Sequence, residues 1–307
     1  MILLSLLGEQ PIPNLLPLWH APQYTVTQFA ATPTTLPLAR ALAEFIRYDP
    51  QLDRLTVLEP LELAAYDVQL ARARLAEALA AHQLSGQQVC LNLTGGTKLM
   101  SLAALQAAFG SGVPLMYVAT EQNSVIYFRS DGSEERREPI KVAITAAQYL
   151  AAHGLEVSTA PNFGSGPVKP RQAGGDALEK RVEALARKSG YFDDVQRNLF
   201  IRKVTKNGPV ANELDVVVTR NGRLAVCSCK MIDTGNARGR DIMREAIYEV
   251  ASLSRREVAG IYCGKVLVNS QPVMAPAISD RAEASGVKLV YGREVARVAE
   301  YLLAATN

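Results

Sequence analysis

Cysteine is scarce in this chain. The four that occur include no CxxC pair, so neither a disulfide framework nor a zinc site is expected, and Cys227 and Cys229 read as reduced, buried thiols. Excess charge of one sign is also lacking: lysine and arginine total 33 against 30 acids, a net of +3 at neutral pH. No global basic field marks a nucleic-acid binder, so any such surface must be local. No uncharged stretch nears the ~20 apolar residues that span a bilayer. The apolar start, Met1–Leu7, has no basic flank and is cut short by Gly8-Glu9-Gln10-Pro11, unlike a secretory leader. A cytoplasmic protein with no membrane partner is expected. Walker A and GxGxxG spacings are missing too, which argues against an NTPase or a dinucleotide dehydrogenase, and no internal repeat is evident.

What remains is 307 residues, 48% hydrophobic and 21% charged, the profile of a soluble globular protein long enough for two domains. Up to about residue 128 strand and helix patterns alternate. Ile2–Leu7, Tyr24–Phe29, Arg54–Glu59, Val89–Thr94, Leu115–Ala119 and Val125–Phe128 read as strands. Helices are expected near Leu36–Tyr48, Asp67–His82 and Thr97–Phe109. Such alternation implies an α/β fold with a mostly parallel, Rossmann-like sheet, which binds ligands beyond the carboxyl ends of its strands. Arg129–Glu138 reads as a charged, turn-rich connection, Thr145–Leu155 as a short helix, and the Pro/Gly/Ser-rich Ser158–Gly175 as a linker.

The C-terminal half is organised around Glu213-Leu214-Asp215-Val216-Val217-Val218-Thr219-Arg220 and Arg223-Leu224-Ala225-Val226-Cys227-Ser228-Cys229-Lys230, two β-prone runs joined by Asn221-Gly222. Asn-Gly between such runs predicts a two-residue hairpin. Its register sets Arg220 against Arg223, Val217 against Val226, Asp215 against Ser228 and Glu213 against Lys230. Alternation puts Glu213, Asp215, Ser228 and Lys230 on one face. Two carboxylates suit Mg²⁺ or Mn²⁺, which can activate water and steady a phosphoryl oxygen, with a lysine beside them to offset charge. The same residues would also serve as a cross-strand Glu213–Lys230 ion pair on an ordinary exposed hairpin.

Asp215 and Ser228-Cys229-Lys230 resemble the PD-(D/E)xK nuclease motif, with Ser228 standing where the family usually carries a carboxylate. That resemblance implies the metal ligands Asp215, Glu213 and Glu179, the last on a helix opened by Asp176. The catalytic set it implies is Glu179, Glu213, Asp215, Ser228 and Lys230. Arg238 and Arg240, expected in a loop over Gly235–Arg240, with Arg244 just beyond, are candidates to meet a nucleic-acid backbone; Tyr248 and Glu249 resemble family positions near the site.

A second strand end, Leu93-Thr94-Gly95-Gly96-Thr97-Lys98, combines glycines, hydroxyls and a charge at a helix start, a setting that favours phosphate and equally suits a capped turn. With Gln10…Pro13-Asn14-Leu15-Leu16 it resembles the CARF domain, the sensor of cyclic oligoadenylates in type III CRISPR systems, in the branch fused to a PD-(D/E)xK nuclease. The resemblance implies ligand contacts from Gln10, Pro11, Thr94, Gly95, Gly96, Thr97 and Lys98, a homodimer with the pocket on its axis, and cyclic tetra-adenylate as allosteric activator. The implied layout is a CARF domain over 1–140, a linker with a short helix over 141–172, and a restriction-endonuclease-like domain over 173–307. The expected activity is antiviral, metal-dependent cleavage of single-stranded DNA, RNA or nicked duplex. A ligand-binding regulator with a degenerate nuclease domain, or an enzyme that degrades its own activator, would carry much of the same sequence.

Overall fold

Every residue of Ile2-Leu3-Leu4-Ser5-Leu6 is buried, as a strand covered on both faces must be. In the computed structural model, which describes all residues except 161–172, 206–207 and 254–257, this strand is the centre of a first unit, Met1–Val142. That unit runs β1 (Ile2–Leu6), α1 (Ile12–His20), β2 (Val26–Ala31), α2 (Leu36–Tyr48), β3 (Thr56–Val57), β4 (Leu61–Glu62), α3 (Val68–Leu84), β5 (Val89–Asn92), α4 (Lys98–Ala108), β6 (Leu115–Ala119), β7 (Ser124–Phe128) and β8 (Glu134–Pro139). The sheet order is β3-β2-β1-β5-β6-β7-β8, with β4 also on β2. Pairing is parallel from β3 to β6 and antiparallel for β7 and β8. The mostly parallel, helix-covered sheet expected from the alternating pattern is present.

The second unit, Ala143–Asn307, runs α5 (Ala146–Ala152), β9 (Glu156–Ser158), α6 (Ala173–Ser189), β10 (Asp194–Thr205), β11 (Gly208–Arg220), β12 (Arg223–Lys230), α7 (Ala237–Ser252), β13 (Gly264–Asn269), α8 (Pro276–Ala284), β14 (Lys288–Tyr291) and α9 (Val298–Ala305). Its sheet order is β14-β13-β12-β11-β10-β9. Asn221 and Gly222 both take positive φ, 47° and 72°, as a type I′ turn requires. The register is the one the turn dictates, Arg220 with Arg223 and Val217 with Val226. Val216, Val218, Cys227 and Cys229 pack with Leu178 and Val182 of α6 and Val298 and Leu302 of α9. Leu267 of β13 packs with α7 and α8 instead.

Several segments depart from the expectations. Ile12–His20 is a helix despite Pro13 and Pro17: Pro13, in the first turn, gives up only an N–H that has no intrahelical partner, whereas Pro17 lies inside the helix and has no N–H to offer the Pro13 carbonyl. Glu134–Pro139 is an edge strand rather than a connection; its charged side chains, paired as Arg136–Glu138 (2.8 Å) and Arg137–Glu134 (3.1 Å), suit an edge that must not recruit another strand. The helix expected over 145–155 is capped by Thr145, and the following β9 pairs antiparallel with β10, so this stretch extends the second sheet. Residues 161–172 of the expected linker lie outside the described residues. Arg238 and Arg240 stand in the first turn of α7, not in a loop, because Asn236 accepts a hydrogen bond from the Gly239 N–H and starts the helix early.

Buried His153, just past the C-terminal end of α5, stacks on Tyr149 at 4.9 Å, and one ring nitrogen lies 3.0 Å from the Tyr149 carbonyl. Burial pushes its pKa down from 6.5 to about 4. The unfolded chain thus binds a proton that the folded one refuses between those values, so stability falls as pH drops from about 6.5 to 4, on the order of 3 kcal/mol from this residue. Chemical denaturation of wild type and His153→Gln across pH 4–7 is expected to show a flatter profile in the variant.

Candidate functional site

Strands β11 and β12 pair only as far as Val216–Cys227. Beyond that point β11 stays with β10, as far as Gly208 against Thr205, while β12 stays with β13, as far as Lys230 against Asn269. The sheet therefore forks, and Asp215 is the first residue of β11 past the fork. Separation leaves the N–H of buried Cys229 without its β-ladder partner, and a buried N–H must find an acceptor. It donates to Asp215 Oδ2 at 2.7 Å, and the Ser228 hydroxyl donates to the same oxygen at 3.0 Å. The aspartate bridges the fork with one carboxylate oxygen.

A small cleft of about 40 Å³ opens here, bordered by Glu213, Asp215, Ser228, Lys230 and Glu249 among others. The residues that alternation assigned to one face of the hairpin are thus brought together. No ion pair joins Glu213 to Lys230 among the described residues, because the strands have already parted at that level; the cross-strand pair of an ordinary hairpin is not formed. Glu249 projects from α7 into the cleft, while Tyr248 points outward against Arg281.

Glu179 stands elsewhere. Its helix packs on the core face of the hairpin, the face of Val216 and Cys229, opposite to that of Asp215. There Arg197 gathers Asp176 at 2.7 Å, Glu183 at 3.0 Å and Glu179 at 3.8 Å. The hydrogen bond with Cys227, then burial, hold the Cys229 thiol far above its ordinary pKa, with Asp215 and Glu179 adding to the effect. It stays protonated and is no nucleophile. Among the described residues no three His, Cys, Asp or Glu side chains are grouped tightly enough to hold a metal ion. The cleft's donors, carboxylates and a hydroxyl, are nonetheless the hard oxygens that Mg²⁺ and Mn²⁺ take.

In the first unit the two distinctive strand ends meet backbone to backbone. A Cβ on Gly95 would lie 2.0 Å from the Leu6 carbonyl oxygen, and one on Gly8 would lie 3.1 Å from the Gly96 nitrogen. Both threonine hydroxyls serve this loop. Thr94 donates to Asn92 Oδ1 (2.5 Å) and accepts from the Val118 N–H (2.7 Å). Thr97 caps α4 through the Met100 N–H and donates to the Ala65 carbonyl (2.7 Å). Gly96 and Lys98 are exposed at the start of α4, where the helix end favours an anion. Gln10 and Pro11 precede α1, and Asn14 donates to the Gln10 carbonyl at 3.3 Å.

Sequence patterns gave no sign of Asn198, which stands across the ladder from Asp215; an asparagine inside the β-prone run Val195–Ile201 is the one hint available. The fork itself yields a stability test. Asp215→Ala leaves the Cys229 N–H buried and unsatisfied, expected to cost about 1–3 kcal/mol, whereas Asp215→Asn retains an acceptor oxygen. Thermal or urea unfolding should rank wild type and Asp215→Asn together and Asp215→Ala clearly below; equal stability of the two variants would refute the bridging role.

Residues 2–149 match the family described as the Card1 CARF domain, and residues 168–306 that described as the Card1-like endonuclease domain. No curated protein matches the chain in sequence. Similar solved structures include Can2 from Sulfobacillus thermosulfidooxidans in complex with cyclic tetra-adenylate, 20% identical over 99% of this chain and 97% of that one, TM-score 0.79. VC1899 from Vibrio cholerae is 16% identical over 100% and 98%, TM-score 0.80. A type III CRISPR defence DNA nuclease activated by cyclic oligoadenylate is 18% identical, covering 95% of this chain and 48% of that one, TM-score 0.58. At these identities the likeness is one of fold. The two family matches, in order and together spanning nearly the whole sequence, place the chain in the Card1-like family: a CARF domain followed by an endonuclease domain.

Proposed function

We propose that this protein is a cyclic-oligoadenylate-activated, metal-dependent nuclease of type III CRISPR defence, with cyclic tetra-adenylate as activator. The observation that carries the reading is the fork: one aspartate held by two donors, with Ser228, Lys230 and acidic side chains around a single cleft. Asp215 is the anchor for a divalent cation, joined by Glu213 and Glu249 from the cleft walls. When bound, such an ion would supply water activation and charge neutralisation at a phosphoryl oxygen.

The chain's own groups do the rest. Among the described residues the Lys230 ammonium has no ion pair, so it is available to a scissile phosphate. Donation from Ser228 and Cys229 fixes the orientation of the Asp215 carboxylate. Arg238 is exposed in a second cleft that also includes Lys230 and suits a nucleic-acid backbone. Arg240 instead donates to the Thr234 and Gly235 carbonyls, and Arg244 pairs with Asp241. Glu179, in its Arg197 network, supports the packing of α6 on the sheet rather than reaching the cation.

At the N-terminal loops, Lys98 and the Gly95–Gly96 backbone are assigned to the activator, since both threonine hydroxyls are engaged within the loop. A symmetric ring ligand suits a two-fold axis, and Leu70 on α3 and Leu102 on α4, each 52% exposed, supply apolar surface for a second copy. Activation requires that the ligand bind the active arrangement more tightly than the inactive one.

The decisive experiment incubates the protein with single-stranded DNA, RNA or nicked and supercoiled duplex in Mn²⁺, with and without cyclic tetra-adenylate. Cleavage is expected only with activator. Asp215→Asn and Lys230→Ala should each lower it by at least about a hundredfold while still binding ligand. Ligand binding without cleavage of any substrate would favour the regulator, the reading that Ser228 and the ungrouped carboxylates support. Loss of the cyclic ligand itself in Asp215→Asn would reveal degradation at the N-terminal pocket. Lys98→Ala is expected to weaken cyclic tetra-adenylate binding by about tenfold, about 1.4 kcal/mol, in a calorimetric titration, and Leu102→Glu to shift sedimentation from dimer to monomer.

A further inference from the structure

Asn198 lies in the interior of β10 with φ of 57°, in the left-handed region that non-glycine residues seldom enter and asparagine enters more readily than most. Nothing is inserted there. Arg197 pairs with Val216 and Leu199 with Leu214, so the intervening Asn198 falls opposite Asp215. Its Oδ1 is buried and has no hydrogen-bond partner among the described residues. Buried amide oxygens are nearly always partnered, and left-handed backbone in a strand gathers where function holds it. Both departures occur at one residue, on the strand next to the proposed anchor.

The neighbours of Asp215 are asymmetric. From the β12 side, two donors engage its Oδ2. On the β10 side the residue opposite in register is Asn198, whose amide oxygen lacks a donor among the described residues. A carboxylate and an amide oxygen on adjacent strands repel unless a cation or a proton donor lies with them, and a carboxylate with an amide carbonyl is an ordinary pair of ligands for a hard divalent ion. We infer that Asn198 is a cation ligand of the Asp215 site, its amide oxygen taking the place of the carboxylate that Ser228 does not provide. The inference rests on the metal site proposed above.

The test measures Mn²⁺ binding to the full-length protein by calorimetry and electron paramagnetic resonance, in wild type, Asp215→Asn, Asn198→Gly and Asn198→Asp. Glycine adopts left-handed backbone without strain, so Asn198→Gly deletes the oxygen while keeping the chain path; melting without metal checks that it does. Expected are a loss of Mn²⁺ affinity of about tenfold or more in Asn198→Gly, an unchanged or raised metal-free melting temperature, and affinity in Asn198→Asp at or above wild type. Wild-type affinity in Asn198→Gly, with binding abolished in Asp215→Asn, would overturn the inference and leave the metal site standing. Should Asn198→Gly not fold, weaker binding by Asn198→Asp than by wild type overturns it. A wild type that takes up no Mn²⁺ removes both the site and its ligand.

Discussion

The second unit depends on how one buried N–H is satisfied where a sheet divides. Two strands that leave each other expose unpaired backbone on both, and at a sheet's centre that backbone is out of reach of water. At Cys229 the chain answers with a side chain: Asp215 reaches across the gap and accepts the orphaned N–H. An ionised acceptor makes the stronger hydrogen bond and tolerates a second donor, here Ser228. The fork is thereby closed on one side and left open as a cleft on the other. Fold stability and a fixed carboxylate come from a single contact, so the anchor of the site is also a structural member.

Alternation along β12 keeps two chemistries apart. Cys227 and Cys229 turn into the apolar layer under α6 and α9, while Ser228 and Lys230 turn to the cleft. The Cys229 thiol is held protonated, and both cysteines contribute volume to the core. The acids of α6 are held on the core side by Arg197 at the edge of that layer. A guanidinium with several carboxylates is a closed electrostatic unit. Withdrawing Glu179 from it would leave a half-buried arginine less well compensated, which is why the acid of the first helix stays with the packing.

Much of this was legible in sequence, and the limits have physical causes. Asn221-Gly222 set the hairpin because positive φ at both turn residues excludes other registers, and from that register the company of Asp215, Ser228, Glu213 and Lys230 followed. What the register could not show is where pairing stops. Divergence of β11 from β12 depends on partners supplied by β10 and β13, which are tertiary choices, so a Glu213–Lys230 ion pair was compatible with the pattern and is not formed among the described residues. Position 198 was invisible for a similar reason: a left-handed residue inside a strand leaves no periodic trace. The pattern raised no expectation of the helix over Ile12–His20: Pro13 in its first turn costs no hydrogen bond, but Pro17 in its interior removes one. Glu179 was expected from the resemblance alone; in the structure its helix covers the face of Val216 and Cys229, and its carboxylate lies 3.8 Å from Arg197.

The serine at 228 bears on how such a site behaves when empty. A second carboxylate at that position would stand beside Asp215 with like charge, and in low-dielectric surroundings the pair would hold together only with a cation or a shared proton between them. A hydroxyl instead donates to Asp215, so the anchor is oriented without an ion. The fork can then fold and persist metal-free, its single charge satisfied by two donors on one oxygen. That arrangement separates folding from metal loading, at the cost of one anionic ligand. On the reading proposed above, any ion that binds would find its remaining oxygens away from position 228, on Glu213 of β11, Asn198 of β10 and Glu249 of α7.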